Sequence, residues 1–356
     1  MKSGGIHLDG IIFSLQAHGG ISVYFRELLS RLAAERVPGF LSLEEPLRAS
    51  LDDLPARMLQ RRPARALERY RSCRAAHGER PDVFHSSYYR LGAQRDVPAV
   101  VTVHDFAYER CVGGLKSWVH SKQKFAAIRQ AQAIICISES TRDDLLEFVG
   151  VRTDQSLQVV YNGVSERFHP LQGYSPGKRP YALFVGQRGR YKNFRLALDA
   201  LALLPELELW CVGGGALQEA ELASAGASTR ARVRHLGQVD DARLNLLYNQ
   251  AQCLLYPSAY EGFGIPVLEA MRAGCPVVCI HCKAVLEVGG VALSIAHEAS
   301  PAALATALRA TAGPNRTALR ARGLERAQAF SWDRHYQETL AIYRSLGAAT
   351  QNLISP

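Results

Sequence analysis

The run Tyr256-Pro-Ser-Ala-Tyr-Glu-Gly-Phe-Gly-Ile-Pro-Val-Leu-Glu-Ala-Met271 constrains this chain more than any other stretch. It carries two carboxylates, Glu261 and Glu269, on either side of a glycine-rich turn, and Pro266 is placed to open a helix. Proline is favoured there because the N–H it lacks has no helical partner to lose. The backbone N–H groups of Gly262, Phe263, Gly264 and Ile265 then face out of the helix start, where unpaired donors and the helix dipole attract phosphate. Carboxylates beside an anion site are tolerated if they bind neutral hydroxyls. A phosphate-bearing ligand with hydroxyls on both sides fits, and a nucleotide-sugar has that form.

The 356 residues suit two domains. A hydrophobic content of 47% against 21% charged residues describes a folded chain, and no apolar run is long enough to span a membrane. Gly10 to Leu15, preceded by Asp9, makes a poor signal peptide. A cytoplasmic protein is expected. Several of the eight cysteines fall in expected core strands, and Cys279 and Cys282 lack the second ligand pair of a zinc site. The net charge of +9 is spread over both halves, which argues against a nucleic-acid arm. One segment, Arg57 to Arg80, holds eight arginines and only two glutamates, Glu68 and Glu79. It reads either as a solvated helix face or as peripheral contact with an anionic membrane.

Strand-like and helix-like runs alternate through the chain, the pattern of α/β sheets. Strands are expected at Ile6–Phe13, Phe40–Leu43, Val83–His85, Ala99–His104, Ala133–Ile137 and Gln158–Tyr161. Helices are expected at Ile21–Glu35, Pro55–Ala76, Lys116–Gln132 and Ser140–Val149. A Pro- and Gly-rich segment, Phe168–Arg179, reads as a linker. A second series follows: strands at Tyr181–Val185, Glu208–Val212, Arg232–Leu236, Cys253–Tyr256, Pro276–Ile280 and Val291–Ile295, with helices at Asn193–Leu204, Ala216–Ala225, Asp241–Gln250 and Pro266–Ala273. The expected domains are 1–170 on the acceptor side and 171–335 for the nucleotide-sugar, with 336–356 a helix crossing back to the first. Two doubly wound domains would face each other across a cleft at their strand ends.

Several further motifs lie at strand ends. Val185-Gly-Gln-Arg-Gly-Arg-Tyr-Lys-Asn193 follows an apolar strand, and Gly186 and Gly189 permit a tight turn close to a ligand. Arg188 or Arg190, with Lys192, places cations on a diphosphate. Val212-Gly-Gly-Gly215 ends the next strand. Gly19 and Gly20 stand where the chain enters a helix, a second helix-start donor site. His104-Asp105 closes the strand from Ala99, and Ser138 is a helix cap or a cleft-facing ligand. The Asn-Gly of Tyr161-Asn-Gly-Val164 reads as an architectural turn.

Taken together, these motifs resemble retaining glycosyltransferases of family 4, which have the GT-B fold, and in particular the bacterial surface-polysaccharide subgroup. The Glu-x7-Glu run, followed by Ala273-Gly-Cys-Pro-Val-Val278, stands in family order. The resemblance implies that Glu261 sits beside the donor hexose, that Glu269 binds ribose hydroxyls, and that Arg188 and Lys192 hold the diphosphate. It implies that His104 contacts the donor sugar and that the loop at Gly19 and Gly20 approaches the donor from the acceptor-side domain. Phe13, Ser14 and Gln16 would line the acceptor entrance. Glu287 matches a family carboxylate, but the usual downstream Gly-Asp pair is Gly289-Gly290 here.

The expected activity is hexosyl transfer, best guessed as mannose from GDP-mannose, to a glycan or lipid-linked acceptor. The resemblance implies retention at the anomeric carbon, with the departing diphosphate helping to take the acceptor proton. No Asp-x-Asp metal motif is evident, and no cofactor is expected beyond the nucleotide-sugar co-substrate. Two other readings remain: a nucleotide-sugar epimerase, and a non-catalytic nucleotide-binding partner of a membrane glycosyltransferase. A dinucleotide dehydrogenase does not fit, because no Gly-x-Gly-x-x-Gly follows the first strand.

Overall fold

A computed structural model describes residues 4–17, 19–75, 80–173 and 179–350. The chain divides into two units, residues 1–162 with 332–356, and residues 163–331.

In the first unit, apolar strands with short β-branched runs form a seven-stranded parallel sheet. The elements in chain order are β1 (Ile6–Asp9), α1 (Ile11–Leu15), α2 (Gly20–Ala34), β2 (Gly39–Glu45), β3 (Leu59–Pro63), β4 (Val83–Ser86), β5 (Ala99–Val103), α3 (Gly114–Gln130), β6 (Ala133–Cys136), α4 (Glu139–Phe148) and β7 (Ser156–Val159). The strand order is β3-β2-β1-β4-β5-β6-β7. The central strands β1, β4 and β6 are buried along their whole length, as strands covered on both faces must be.

The second unit carries β8 (Tyr181–Val185), α5 (Phe194–Ala202), β9 (Glu208–Val212), α6 (Glu219–Leu222), α7 (Ala227–Arg230), β10 (Val233–His235), α8 (Asp241–Gln250), β11 (Cys253–Tyr256), α9 (Ile265–Arg272), β12 (Val277–Ile280), α10 (Lys283–Gly289), β13 (Leu293–Ala296), α11 (Pro301–Arg309) and α12 (Pro314–Ala327). Its six parallel strands run β10-β9-β8-β11-β12-β13. Leu198, Leu201, Leu304 and Leu308 pack from α5 and α11 onto Phe184, Leu209, Leu255 and Val278. The strand order reverses direction between β8 and β11, and loops leaving such neighbours diverge and leave room for a ligand. The last helix, α13 (Trp332–Ser345), belongs to the first unit, where the Tyr343 hydroxyl meets Nδ1 of buried His85.

Most elements lie within two residues of expectation, and three do not. The strand expected at Ile6–Phe13 stops at Asp9, whose carboxylate accepts the N–H of Ile11 (3.1 Å) and turns the chain into α1. The helix expected at Pro55–Ala76 is absent from the described part of that segment. Leu59–Pro63 pairs with β2 as an edge strand, and only short 3₁₀ turns flank it. Of the helix expected at Ala216–Ala225, only α6 forms. The unit boundary at Asn162 precedes the expected one at 170/171. Within the expected linker, His169 and Leu171 donate backbone N–H groups to Asn245 and Asn249 of α8. Residues 174–178 lie outside the described part.

Candidate active site

The two strands that flank the switch point of the second unit send out loops that are tied together. The loop after β8 carries Gly186 to Asn193, and the loop after β11 carries Pro257 to Gly264. Ala259 N–H donates to Tyr191 O (2.8 Å), and the Asn193 side-chain amide donates to Pro257 O (2.9 Å). This tie brings Lys192 Nζ onto Oε1 of Glu261 in an ion pair that is mostly shielded from water. The Lys192 ammonium also lies 5.3 Å from the ring centre of Tyr256. Burial, and then the neighbouring Glu261 carboxylate, push the Tyr256 phenol well above its ordinary range.

Gly264 caps α9 with φ +108, a left-handed backbone that a side chain would strain. Pro266 stands in the first turn of α9, as the spacing predicts, although the helix starts at Ile265. Phe263 is buried and meets Phe330 edge-on at 5.9 Å, fixing the turn from inside. Gly262, Gly264 and Ile265 therefore form the backbone of a helix start, with Glu261 just before it. Glu269 lies one turn inside α9, where its Oε2 accepts the Tyr248 hydroxyl at 2.9 Å. Burial raises its pKa to about 7, against a smaller opposing effect of that hydrogen bond.

Arg188 departs from expectation. Its guanidinium does not stand free for a diphosphate. Nε donates to Glu221 (2.9 Å), Nη1 to Gly213 O (3.1 Å), and Nη2 to Gly215 O and Ala216 O (2.9 and 3.0 Å). The side chain is almost fully buried. A side chain on Gly214 would place its Cβ 2.5 Å from Gly186 O, so the glycine run lets the two loops touch. Arg188 thus staples the Gly213–Ala216 loop to the loop after β8, and among the described side chains of that loop Lys192 is the cation beside Glu261. The side chain of Arg190 lies outside the described part. Sequence reasoning missed Tyr248, Tyr256 and Glu221; the pairing of Glu269 with a tyrosine on the preceding helix carries no local signature.

In the first unit, His104 directly follows β5 and is buried. It meets Tyr24 edge-on at 5.0 Å, and its Nε2 has no partner among the described residues. Burial, followed by the charge of His335, lowers its pKa to about 3, so at neutral pH it is an uncharged hydrogen-bonding group. Asp105 caps the following turn through Ala107 N–H (2.9 Å), and Ser138 caps α4 through Thr141 N–H (2.9 Å).

The expected acceptor lining is corrected in part. Phe13 is wholly buried, with its carbonyl accepting the N–H groups of Arg48 and Ala49, and cannot meet an acceptor. Ser14 gives its hydroxyl to Glu44 O. Gln16 lies close against Gly19, and its Nε2 is buried without a partner among the described residues. Gly20 opens α2, with the carbonyl of Gly19 accepting Val23 N–H (3.0 Å). Each unit carries its own set of candidate residues.

Comparison with known families places the chain as a whole. Residues 18–168 match the model for Glycosyltransferase Family 4, and residues 167–311 match that for Glycosyl transferases group 1. The chain is 28% identical over 369 aligned positions to an O-antigen chain mannosyltransferase B of Escherichia coli, covering 92% of this chain and 96% of that protein. A sucrose-phosphate synthase from Thermosynechococcus elongatus superposes with a TM-score of 0.74 at 20% identity, over 96% of this chain and 98% of that one. The Anabaena protein HepE in complex with UDP and glucose superposes at 0.70 with 14% identity, over 96% and 99%. The fold is GT-B, with two Rossmann-like parallel sheets.

Proposed function

We propose that this chain, which belongs to glycosyltransferase family 4, moves a hexose from a nucleotide-diphosphate sugar to a glycan or lipid-linked acceptor in bacterial surface-polysaccharide assembly. The proposed sugar is mannose, a reading supported by the name of the Escherichia coli relative; the proposed donor is GDP-mannose, and the proposed outcome is retention at the anomeric carbon without a metal ion. The observation that carries this reading is the Lys192–Glu261 pair across the switch point of the second sheet.

In this reading the N–H groups at the start of α9 and the Lys192 ammonium hold the diphosphate. They stabilise the charge that develops as the bond from the anomeric carbon to phosphate oxygen breaks. Glu261 accepts hydrogen bonds from hexose hydroxyls, and Glu269 from ribose hydroxyls. The acceptor hydroxyl forms the new bond to the anomeric carbon, and its proton passes to the departing diphosphate. His104 contributes an uncharged hydrogen bond. Fixing donor and acceptor in reach of each other supplies much of the rate. The protein acts in the cytoplasm, at the inner face of the membrane where a lipid-linked acceptor would be met. Among the described residues, no helix is long and apolar enough to cross a membrane.

The test is incubation of the purified chain with GDP-mannose or UDP-glucose, with and without a glycan acceptor, alongside thermal melting with each nucleotide. Acceptor-dependent release of GDP and an α-linked product support the proposal. Donor conversion without acceptor would indicate an epimerase. Nucleotide stabilisation without any turnover would indicate a binding partner. No stabilisation by any nucleotide diphosphate would sink the site assignment.

A further inference from the structure

Two neighbouring segments of the first unit hold large apolar side chains out in water. Leu67 is 74% exposed and has φ +58, a left-handed backbone that costs energy for any residue with a side chain. A mobile loop would relax away from such a conformation, but this one is built. Arg65 binds Glu68 on the far side of Leu67 through its backbone N–H (3.0 Å), Nε (2.8 Å) and Nη2 (2.7 Å). Glu68 in turn accepts from the wholly buried Arg90 at 2.9 Å. The strained tip therefore stands on a buried ionic foundation, and Tyr70, more than half exposed, follows it.

The second segment is the start of α3. Leu115 is 76% exposed, and Trp118, one turn on, is more than half exposed. The opposite face of the helix, with Ser117, His120 and Lys124, is buried. Gln123 of α3 donates to Arg69 O at 2.7 Å, so the helix and the Leu67 tip are held side by side.

The charges around these side chains have one sign. Between Arg57 and Arg74 the acidic residue is Glu68, and between Ala107 and Gln130 it is Glu109. Both turn inward, Glu68 onto Arg65 and Arg90, Glu109 onto Lys124. Arg71, Arg74, Lys116 and Lys122 are exposed and form no ion pair with a described residue, and Lys122 lies 4.0 Å from the centre of the Trp118 ring. Apolar tips, a tryptophan and unpaired cations on one surface match the layered chemistry of an anionic bilayer: acyl chains, the interfacial zone and phosphate headgroups. A protein partner would need acidic groups facing each of these cations. A bilayer supplies them without any register.

We propose that Leu67, Tyr70, Leu115 and Trp118, with the cations beside them, form a surface that docks onto an anionic lipid bilayer. The site extends the arginine-rich segment into a defined three-dimensional surface that includes α3. It does not depend on which sugar is transferred.

The experiment is sedimentation of the full chain with vesicles of phosphatidylglycerol and phosphatidylethanolamine, and with vesicles of phosphatidylcholine. The expected result is binding to the first and little to the second, with a blue shift of tryptophan emission that Trp118→Phe removes. Leu67→Ser with Leu115→Ser is expected to weaken binding about tenfold or more, as loss of two inserted leucine side chains implies. Lys116→Glu with Lys122→Glu is expected to do so mainly at low salt. These side chains are exposed, so the melting temperature and its increase with nucleotide diphosphate should survive in every variant. That keeps a failure here separate from a failure of the donor site. Absence of binding to anionic vesicles, or variants that bind as the parent does, would overturn the proposal. Self-association of the parent chain that the leucine substitutions abolish would assign the surface to a second copy and overturn it equally.

Discussion

Lys192 and Glu261 form an ion pair with side chains only 15% and 12% exposed, although they lie 69 positions apart on loops that leave different strands. Removing the ammonium leaves a shielded carboxylate without its cation, whereas Glu261→Gln keeps a hydrogen-bond acceptor for it. Lys192→Ala is therefore expected to cost about 1–3 kcal/mol of stability and Glu261→Gln less. Each is expected to lower transfer by about 100-fold or more, because on the proposed function charge stabilisation at the diphosphate is lost in the first and carboxylate contact with the hexose in the second. The double variant should regain part of the stability and none of the rate. Chemical denaturation and initial-rate measurements on the three variants check this, and full activity in both single variants would remove the pair from the site.

Glu269 gives the site a pH dependence. Burial raises its pKa from 4.5 to about 7 in the folded chain. Between those values the folded state holds a proton that the unfolded state has released. The stability linked to this group is complete below pH 4.5 and is lost as pH rises through about 7, a change of up to about 3 kcal/mol. Glu269→Gln should flatten that part of the stability profile. Ligand binding should run the other way, because only the carboxylate accepts from two ribose hydroxyls at once. Stabilisation by a nucleotide diphosphate is expected to grow between about pH 6 and about pH 8 in the parent chain and not in Glu269→Gln. Melting curves across that range decide the matter.

The parts of this site that are legible in the sequence are those fixed by local chemistry. Glu261, Gly264, Pro266 and Glu269 lie on one strand-turn-helix unit, and the spacing alone sets their order along it. Ser138 is the same kind of case, a cap read from its neighbours. What the sequence hides is decided by partners distant along the chain. The segment from Pro55 looks helix-compatible, yet Leu59–Pro63 finds an edge-strand partner in β2, and Arg65 and Glu68 are drawn to Arg90. Ile11, Ile12 and Phe13 form an apolar run that suits a buried strand or a buried helix equally, and the carboxylate of Asp9 settles it by turning the chain. A basic loop suggests that Arg188 is a ligand for phosphate. Its use as a staple depends on carbonyls from residues 213–216, which no local pattern announces.

That role for Arg188 has a consequence distinct from phosphate binding. Its planar fork reaches Glu221 and four carbonyls at once, and a lysine ammonium, a point charge with three donors, cannot satisfy them all. Arg188→Lys is expected to cost about 2–4 kcal/mol through the buried carbonyls and carboxylate left without donors. Urea unfolding of Arg188→Lys and Arg188→Ala should show losses of similar size. A lysine variant as stable as the parent would contradict the staple.

Arg90 makes the sharpest case for charge inside the first unit. It is wholly buried and meets Asp9 (Nε at 3.1 Å), Glu44 (3.0 Å) and Glu68 (2.9 Å). Glu44 and Glu68 have second cations, Arg62 and Arg65, but Asp9 has none among the described residues. Arg90→Met would therefore leave Asp9 as the uncompensated charge, at the point where β1 turns into α1. Breaking a buried pair by removing one partner costs about 3–5 kcal/mol, mostly as the penalty of the charge left behind. If that account holds, Asp9→Asn added to Arg90→Met should restore part of the loss, because the amide oxygen can still accept the Ile11 N–H while the charge is gone. Glu68→Gln added to Arg90→Met should restore little, since Arg65 already compensates Glu68. Equilibrium unfolding of the single and double variants measures both effects; rescue by neither substitution would show that the cost lies in lost packing of the arginine, and equal rescue by both would show that Arg65 does not compensate Glu68.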